Sequence, residues 1–399
     1  MAALRALAAR EAPGLALSSA LPEAPSSRHM TARIEKNVKA NYAPPDLKAL
    51  THFGRGLSAA QSAALQQTRQ ALILSFTHPK KHTLQGLRSA YVLAHQAALR
   101  TGGLLWDDET REVFTPQAWH ERRLASWSEA WPEVHRHITI HSYQSGTLVR
   151  AISLGMSKFG QPDLIVDQFP WSSSQGMGNV INLLAQTLVE GAEVGRNGRV
   201  DLDIANLKNA AMRKSEIASY RDNATGRASL ALVKGTWEEG DPNNRLAEIT
   251  FSLHKAPDLH ARQDAVATSL WGSSSKVQYI RHDAELKAAS ALARKKLPAL
   301  QADFARGLRP GEYIEVKAPF ATASGGREWM WVEIHTWKGK VIEGTLNNQP
   351  RDIPSLRSGQ RVTVDQVDVF DYIRNFPGGS QEGNTTGVII QKMQAAAPN

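Results

Sequence analysis

The chain has 399 residues, 42% of them hydrophobic and 21% charged, with a formal net charge of +9. That length exceeds what a single core usually serves, so two or three domains of an ordinary soluble protein are expected. The complete lack of cysteine removes disulfides, thiol nucleophiles, iron–sulfur clusters and cysteine zinc sites. No apolar run approaches the ~20 residues of a membrane-spanning helix.

Lys and Arg number 47 against 38 Asp and Glu. The densest basic cluster, Arg294-Lys-Lys296, falls well short of the roughly five to eight residues of a nucleic-acid patch. The excess therefore reads as solvated surface.

Residues 1–50 are rich in Ala, Pro and Ser, with Pro13, Pro22, Pro25, Pro44 and Pro45 interrupting any helix. Such a stretch buries too little apolar area to offset its ordering entropy, and reads as a disordered or mis-assigned leader. Leu15–Leu21 also admits an export signal, broken up by Arg10, Glu11 and Ser18-Ser19, and translation from Met30 is a further reading. The cytoplasm is favoured. The periplasm is the alternative if the N-terminus is a truncated or mis-assigned signal.

Ordered structure is expected from about Leu57. Gln70–Thr77 reads as a strand, and Thr83 begins a helix with Leu84, Leu87, Tyr91, Ala94 and Ala98 on one face. Gly102-Gly103 ends it. Leu104–Trp106 and Glu112–Phe114 are strands, and Pro116 opens another helix. Ile138–Ile140 and Leu148–Leu154 pair as a hairpin, and Leu164–Val166 is a further strand. A Ser/Gly loop then leads into a helix bearing Met177, Val180, Ile181, Leu184 and Leu188.

These elements make residues 51–200 one α+β domain. Residues 201–284 form a second α+β segment, either packed with the first or separate. It holds strands at Ala228–Lys234, Leu246–Leu253 and Val277–Ile280. From Asp283 a helix passes Pro298, expected to kink or divide it. Beyond it the chain is strand and turn: Tyr313–Pro319, Glu328–Thr336, Lys340–Leu346, Gln360–Val364 and Val367–Ile373. The fold class expected is α+β: a mixed, sandwich-like α/β region, then a helix and a small SH3-like or partly open antiparallel β-barrel over 285–392. A tail at 393–399 follows, and Val388–Ile390 is a candidate edge strand.

The segment from about Glu285 to Lys392 resembles the family called domain of unknown function 2314. The residues that carry the resemblance are Trp331, Glu333, Gly344, Leu346, Asn348, Pro350, Gly359, Val362, Val364 and Asp371-Tyr372. Val369 and Tyr372 depart slightly from the family's closing pattern. The region from about Phe53 to Val277, with Thr101–Asp107, Phe114–Pro116 and Gly155–Gly160, is similar to the region often joined to that domain in bacterial proteins. The resemblance implies a fold and no activity, substrate or cofactor.

Four groups of residues invite a chemical reading. His135, His137 and His141 share a face if their stretch is extended, an arrangement able to grip zinc; exposed strand-edge histidines explain it more simply. Ser172–Asn179 stands before a helix N-terminus, where anions bind, but lacks both nucleotide fingerprints and reads more simply as a capping loop. Glu238, Glu239 and Asp241 lack the rhythm of a calcium loop and read as solvated turn residues. Trp329, Trp331 and Trp337 fall on one face of a continuous strand. That face is either core under the 285–306 helix or, beside Lys338 and Lys340, a contact surface.

No nucleophile, cofactor or metal signature emerges, so the reading leans away from catalysis and names no cofactor. It favours a non-enzymatic module that binds a bacterial protein, with toxin neutralisation or immunity as one setting by analogy. Trp329, Trp337 and Lys338 are its candidate surface. A metal-assisted hydrolase using the histidine-rich strand and a weak nucleic-acid binder are the alternatives.

Overall fold

In the computed structural model, which describes residues 2–272, 284–322 and 325–396, helices and strands are mixed and no sheet closes into a barrel. The first 50 residues, expected to be disordered, are ordered from Ala2 onward. Helix α1 (Ala2–Glu11) sets Leu4, Leu7 and Ala8 against Met30 and Leu93. Strand β1 (Leu15–Leu17) runs parallel to β2 (Arg28–Glu35). The prolines fall in the connections, and the covering apolar surface comes from residues far along the chain, which local composition does not reveal.

Helices α2 (Val38–Asn41) and α3 (Leu47–Phe53), strand β3 (Gly54–Arg55) and helix α4 (Ala59–Leu65) follow. Strand β4 (Ala71–Thr77) is antiparallel to β2 and half-buried. Helix α5 (Thr83–Thr101) buries Leu87, Tyr91, Leu93 and Ala98. Strands β5 (Leu105–Asp107) and β6 (Glu112–Phe114) and helix α6 (Pro116–Trp119) lead to the fully buried Arg123. Its Nη2 lies 2.9 Å from both Asp107 and Glu112, and Lys158 reaches Asp107 at 2.7 Å. Burial alone would raise the Asp107 pKa, but Lys158 and Arg123 overcome it and bring the group to about 2. A short ladder of β7 (Trp127–Ser128) and β8 (Trp131–Pro132) precedes the main sheet.

That sheet has six strands: β9 (Thr139–Ser145), β10 (Leu148–Leu154), β11 (Asp163–Phe169), β12 (Arg199–Asp203), β13 (Arg227–Lys234) and β14 (Leu246–Thr250), in the order β12-β13-β14-β11-β10-β9. Only β11 and β14 are parallel. Helices α7 (Ser174–Val189) and α9 (Leu259–Trp271) pack against the sheet, and α8 (Ala210–Ala218) follows β12. A single hydrophobic cluster from Leu87 to Trp271 joins the two segments that the sequence left separate or packed. The strand expected at Val277–Ile280 lies outside the described residues.

The C-terminal module begins with α10 (Ala284–Arg306), one helix that continues through Pro298. Its sheet comprises β15 (Tyr313–Ala321), β16 (Arg327–Lys338), β17 (Val341–Leu346), β18 (Arg361–Asp365), β19 (Asp371–Asn375) and β20 (Gln381–Gly383), ordered β18-β17-β16-β15-β19-β20. The expected barrel is instead an open sheet, because β18 and β20 end on opposite edges and do not meet. One face, with Ile314, Val316, Met330, Val332, Ile334 and Ile342, packs on Leu297 and Leu300 of α10. Where an edge strand was expected at Val388–Ile390 the chain forms α11 (Thr385–Ala396). Asp371 explains it: its Oδ2 accepts the Thr386 amide at 2.8 Å and hydroxyl at 2.6 Å, capping the helix start.

The register of β16 against β17 slips between Ile334 and Thr336. This bulge reverses the in–out alternation beyond it. Gly344 sits opposite, and a Cβ there would lie 2.0 Å from the Glu333 carbonyl oxygen. Gly344→Val is expected to lower stability by roughly 3 kcal/mol or more, read as a drop in thermal melting temperature.

Candidate functional site

The face of the module's sheet away from α10 is polar, and it meets the first domain. Glu333 lies directly opposite Glu315 on β15 and is only 3% exposed. Its two oxygens accept the backbone amides of Trp171 and Ser172 at 2.8 and 2.9 Å. These amides open the short turn that leads into α7, where anions are favoured. Ser172 donates its hydroxyl to Asn347 at 3.2 Å, and Asn347 in turn donates to Glu315 at 2.7 Å. Asn375 donates to the other Glu315 oxygen at 2.9 Å.

Burial raises the Glu333 pKa, the hydrogen bonds from Ser172 and Trp171 oppose that rise, and the Glu315 charge adds to it; the result is about 7. Burial raises Glu315 as well, against its two asparagine bonds. Beside the pair, His260 of α9 shares the Thr345 hydroxyl with His335, at 3.0 and 3.2 Å. Burial, with the neighbouring His260 and Arg361, drives the His335 pKa down to about 3.

The backbones close the rest of the seam. Gly359 has φ +79° and leaves no room for a Cβ, which would lie 2.5 Å from the His260 carbonyl oxygen. Asp258 caps α9 through the Ala261 amide and also accepts the Arg361 amide at 2.9 Å.

The positions carrying the resemblance thus have structural tasks. Glu333 and Gly359 lie on the seam, and Gly344 lies opposite the bulge. Asn348 accepts the Trp331 amide at 2.5 Å, Pro350 is buried, and Asp371 caps α11. The tryptophans do not share a face. Trp337 lies beyond the bulge and turns into the core, 8% exposed, with its Nε1 donating to Gln366. Trp329 packs against Phe370 with ring centres 4.5 Å apart and planes tilted by 52°, and Lys317 lies over Trp331. Lys338 is exposed. The expected contact surface of Trp329, Trp337 and Lys338 is therefore split, because strand parity fails at a bulge.

The histidines are also separated. His135 and the buried His137 belong to a 3-10 turn, Val134–Arg136, and its end; only His141 is on a strand. His137 stacks on Tyr91 and contacts the Ser126 hydroxyl at 2.9 Å. Among the described residues no three His, Asp or Glu side chains stand together as metal ligands. The Ser172–Asn179 stretch is helical from the start, and its anion is Glu333 of the same chain.

The acidic turn is not merely solvated. Arg150 of β10, 1% exposed, binds Asp241 at 2.9 Å and the Thr236 carbonyl at 2.7 Å. Arg111 holds the Gly240 carbonyl at 2.9 Å, and the Tyr143 hydroxyl donates to Glu238 at 2.9 Å. On this pinned loop Trp237 is 59% exposed. A bulge in β11 at Asp167–Gln168, where Gln168 has φ 58°, turns Asp167 towards Arg150 at 3.5 Å.

Parallel pairing with β14 ends at Ile165 and Glu248. Beyond lies a groove of about 250 Å³, lined by Asp167, Gln168, Glu248, Thr250, Leu259 and Arg262. Ligands favour this place, outside the carboxyl ends of parallel strands. Burial, then the Asp167 charge, raises the Glu248 pKa. The sequence held one signal for this region: a lone Arg inside the apolar run Leu148–Leu154.

An open antiparallel sheet on one long helix, docked through a buried carboxylate, defines the C-terminal module. Residues 283–398 match the model of a family described as an uncharacterized protein conserved in bacteria, DUF2314. No curated protein and no solved structure matches the chain.

Because the folded pKa of Glu333 lies above its ordinary 4.5, folding favours the protonated acid. Its contribution is complete below pH 4.5 and is lost as pH rises through about 7. Wild-type stability is expected to fall by roughly 3 kcal/mol across that window on this account. Glu333→Gln should flatten the slope in melting curves taken from about pH 4 to 8.

Proposed function

We propose that the protein is a non-catalytic module that binds another protein through the 235–241 loop and the acidic groove beside it. The observation that carries this reading is Trp237, 59% exposed on a loop whose carbonyls and carboxylates are tied down by the buried Arg150. Tryptophan dominates binding energy when it enters a partner's pocket. A loop already held in place loses little freedom on association. Glu238 and the exposed Glu239 follow Trp237 in the chain, so the complementary partner offers an apolar pocket rimmed by Lys or Arg. A bacterial toxin neutralised by this chain is the first setting to test, by analogy alone.

Trp237→Ala is expected to weaken capture of a stoichiometric partner from native lysate by about 30-fold or more, with an unchanged melting temperature. Equal capture by both proteins would remove the loop from the interface. Arg150→Met, which touches no partner, should also weaken capture by freeing the loop, and should lower the melting temperature by exposing Asp241 as an unpaired buried carboxylate.

A further inference from the structure

The small sheet β1-β2-β4 has an unprotected edge. β4 is its last strand, and Ala71-Leu-Ile-Leu-Ser-Phe-Thr77 contains no charge, proline or glycine. Proteins usually blunt such an edge with charges, prolines, bulges or a covering segment.

The direction of its backbone groups follows from β2. Met30 gives its carbonyl to Ser18 on the β1 side. A strand residue points its N–H and C=O the same way, so Met30, Ala32 and Ile34 turn theirs from β4. Their opposite numbers Phe76, Leu74 and Leu72 therefore turn theirs outward. Among the described residues no hydrogen-bond partner reaches these three on that side. Leu72 and the Ile34 opposite it are 43% and 60% exposed.

We propose that β4 pairs antiparallel with β4 of a second copy of this chain, about a two-fold axis at Leu74, giving a symmetric dimer with one continuous six-stranded sheet. The strand is self-complementary in this register. Leu74 meets Leu74 of the second copy, and Leu72 meets Phe76, all on the face that carries Met30, Ala32 and Ile34. Each copy offers three outward N–H and three outward C=O groups, so about six inter-chain hydrogen bonds form. Registers centred on Ile73 or Ser75 lose one of the three apolar pairs. The strand is uncharged, so no like charges meet at the axis. This edge belongs to a different sheet from the Trp237 loop, and the two proposals stand or fall separately.

Light scattering of the full chain is expected to give twice the 43.7 kDa chain mass. Leu72→Pro removes an outward N–H that no β2 bond uses, and edge strands tolerate proline there. It is expected to weaken dimerisation by about 100-fold or more while circular dichroism stays native. The chain has no cysteine, so Leu74→Cys is expected to form an inter-chain disulfide under mild oxidation. Paired residues at such an axis sit at disulfide distance. Ile34→Cys, one strand further from the axis, is expected to stay reduced. A wild-type monomer at about 100 μM, an undiminished dimer for Leu72→Pro, or cross-linking of Ile34→Cys but not Leu74→Cys would each overturn the proposal. The cysteine comparison decides it even if the proline variant misfolds.

Discussion

A polar or charged group taken out of water has to find its opposite or its hydrogen bonds, and three such groups tie separate parts of this molecule together. Arg123 gathers Asp107, Glu112 and the neighbouring Lys158 pair from separate stretches of the first domain. Arg150 reaches from the main sheet to fix a loop that begins 85 residues further on, at Gly235. Glu333 joins the module to the first domain through two amides. A buried ion pair is weak evidence of net stabilisation, but removing one member leaves an uncompensated charge. Each group therefore acts mainly on specificity: it permits one arrangement of segments and penalises the others.

The two six-stranded sheets solve different problems. The first is mixed, and the groove lies beyond its single parallel contact, where pairing between β11 and β14 stops at Ile165 and Glu248 while both strands run on. The second is antiparallel, with an apolar face under α10 and a polar face that a lone module would expose. Docking that polar face against α9 and the start of α7 explains how titratable groups such as Glu315, Glu333 and His335 come to lie side by side. Their perturbed protonation follows from burial at a junction and requires no catalytic task. The family match covers only this module, so the groove and the Trp237 loop lie outside it.

Much of the fold was legible in the sequence because it depends on local periodicity. The helix at 83–101, the hairpin of β9 and β10, strands β15 to β18 and the α10 face follow from residue spacing. The strand expected at Val367–Ile373 is instead a 3-10 turn at Gln366–Asp368 followed by β19 from Asp371, and β20 has no counterpart among the expected strands. What was not legible depends on distance or on a single inserted residue. The order of residues 2–50 is imposed by β4 and α5. The separation of Trp337 from Trp329 and Trp331 rests on one bulge at His335. The three histidines looked like a set only while Val134–Arg136 was taken as extended. Glu333 stood out as a motif position, yet its partners are backbone amides about 160 residues earlier, and no side-chain pattern announces an amide.

Asp258 occupies a double post, serving the first turn of α9 with one oxygen and the Arg361 backbone of β18 with the other. Arg361 begins the outermost strand of the module, whose free margin would otherwise invite foreign chains. The cap of one domain is thus the guard of the other, and severing the module from the first domain would leave α9 its cap but the module an adhesive strand.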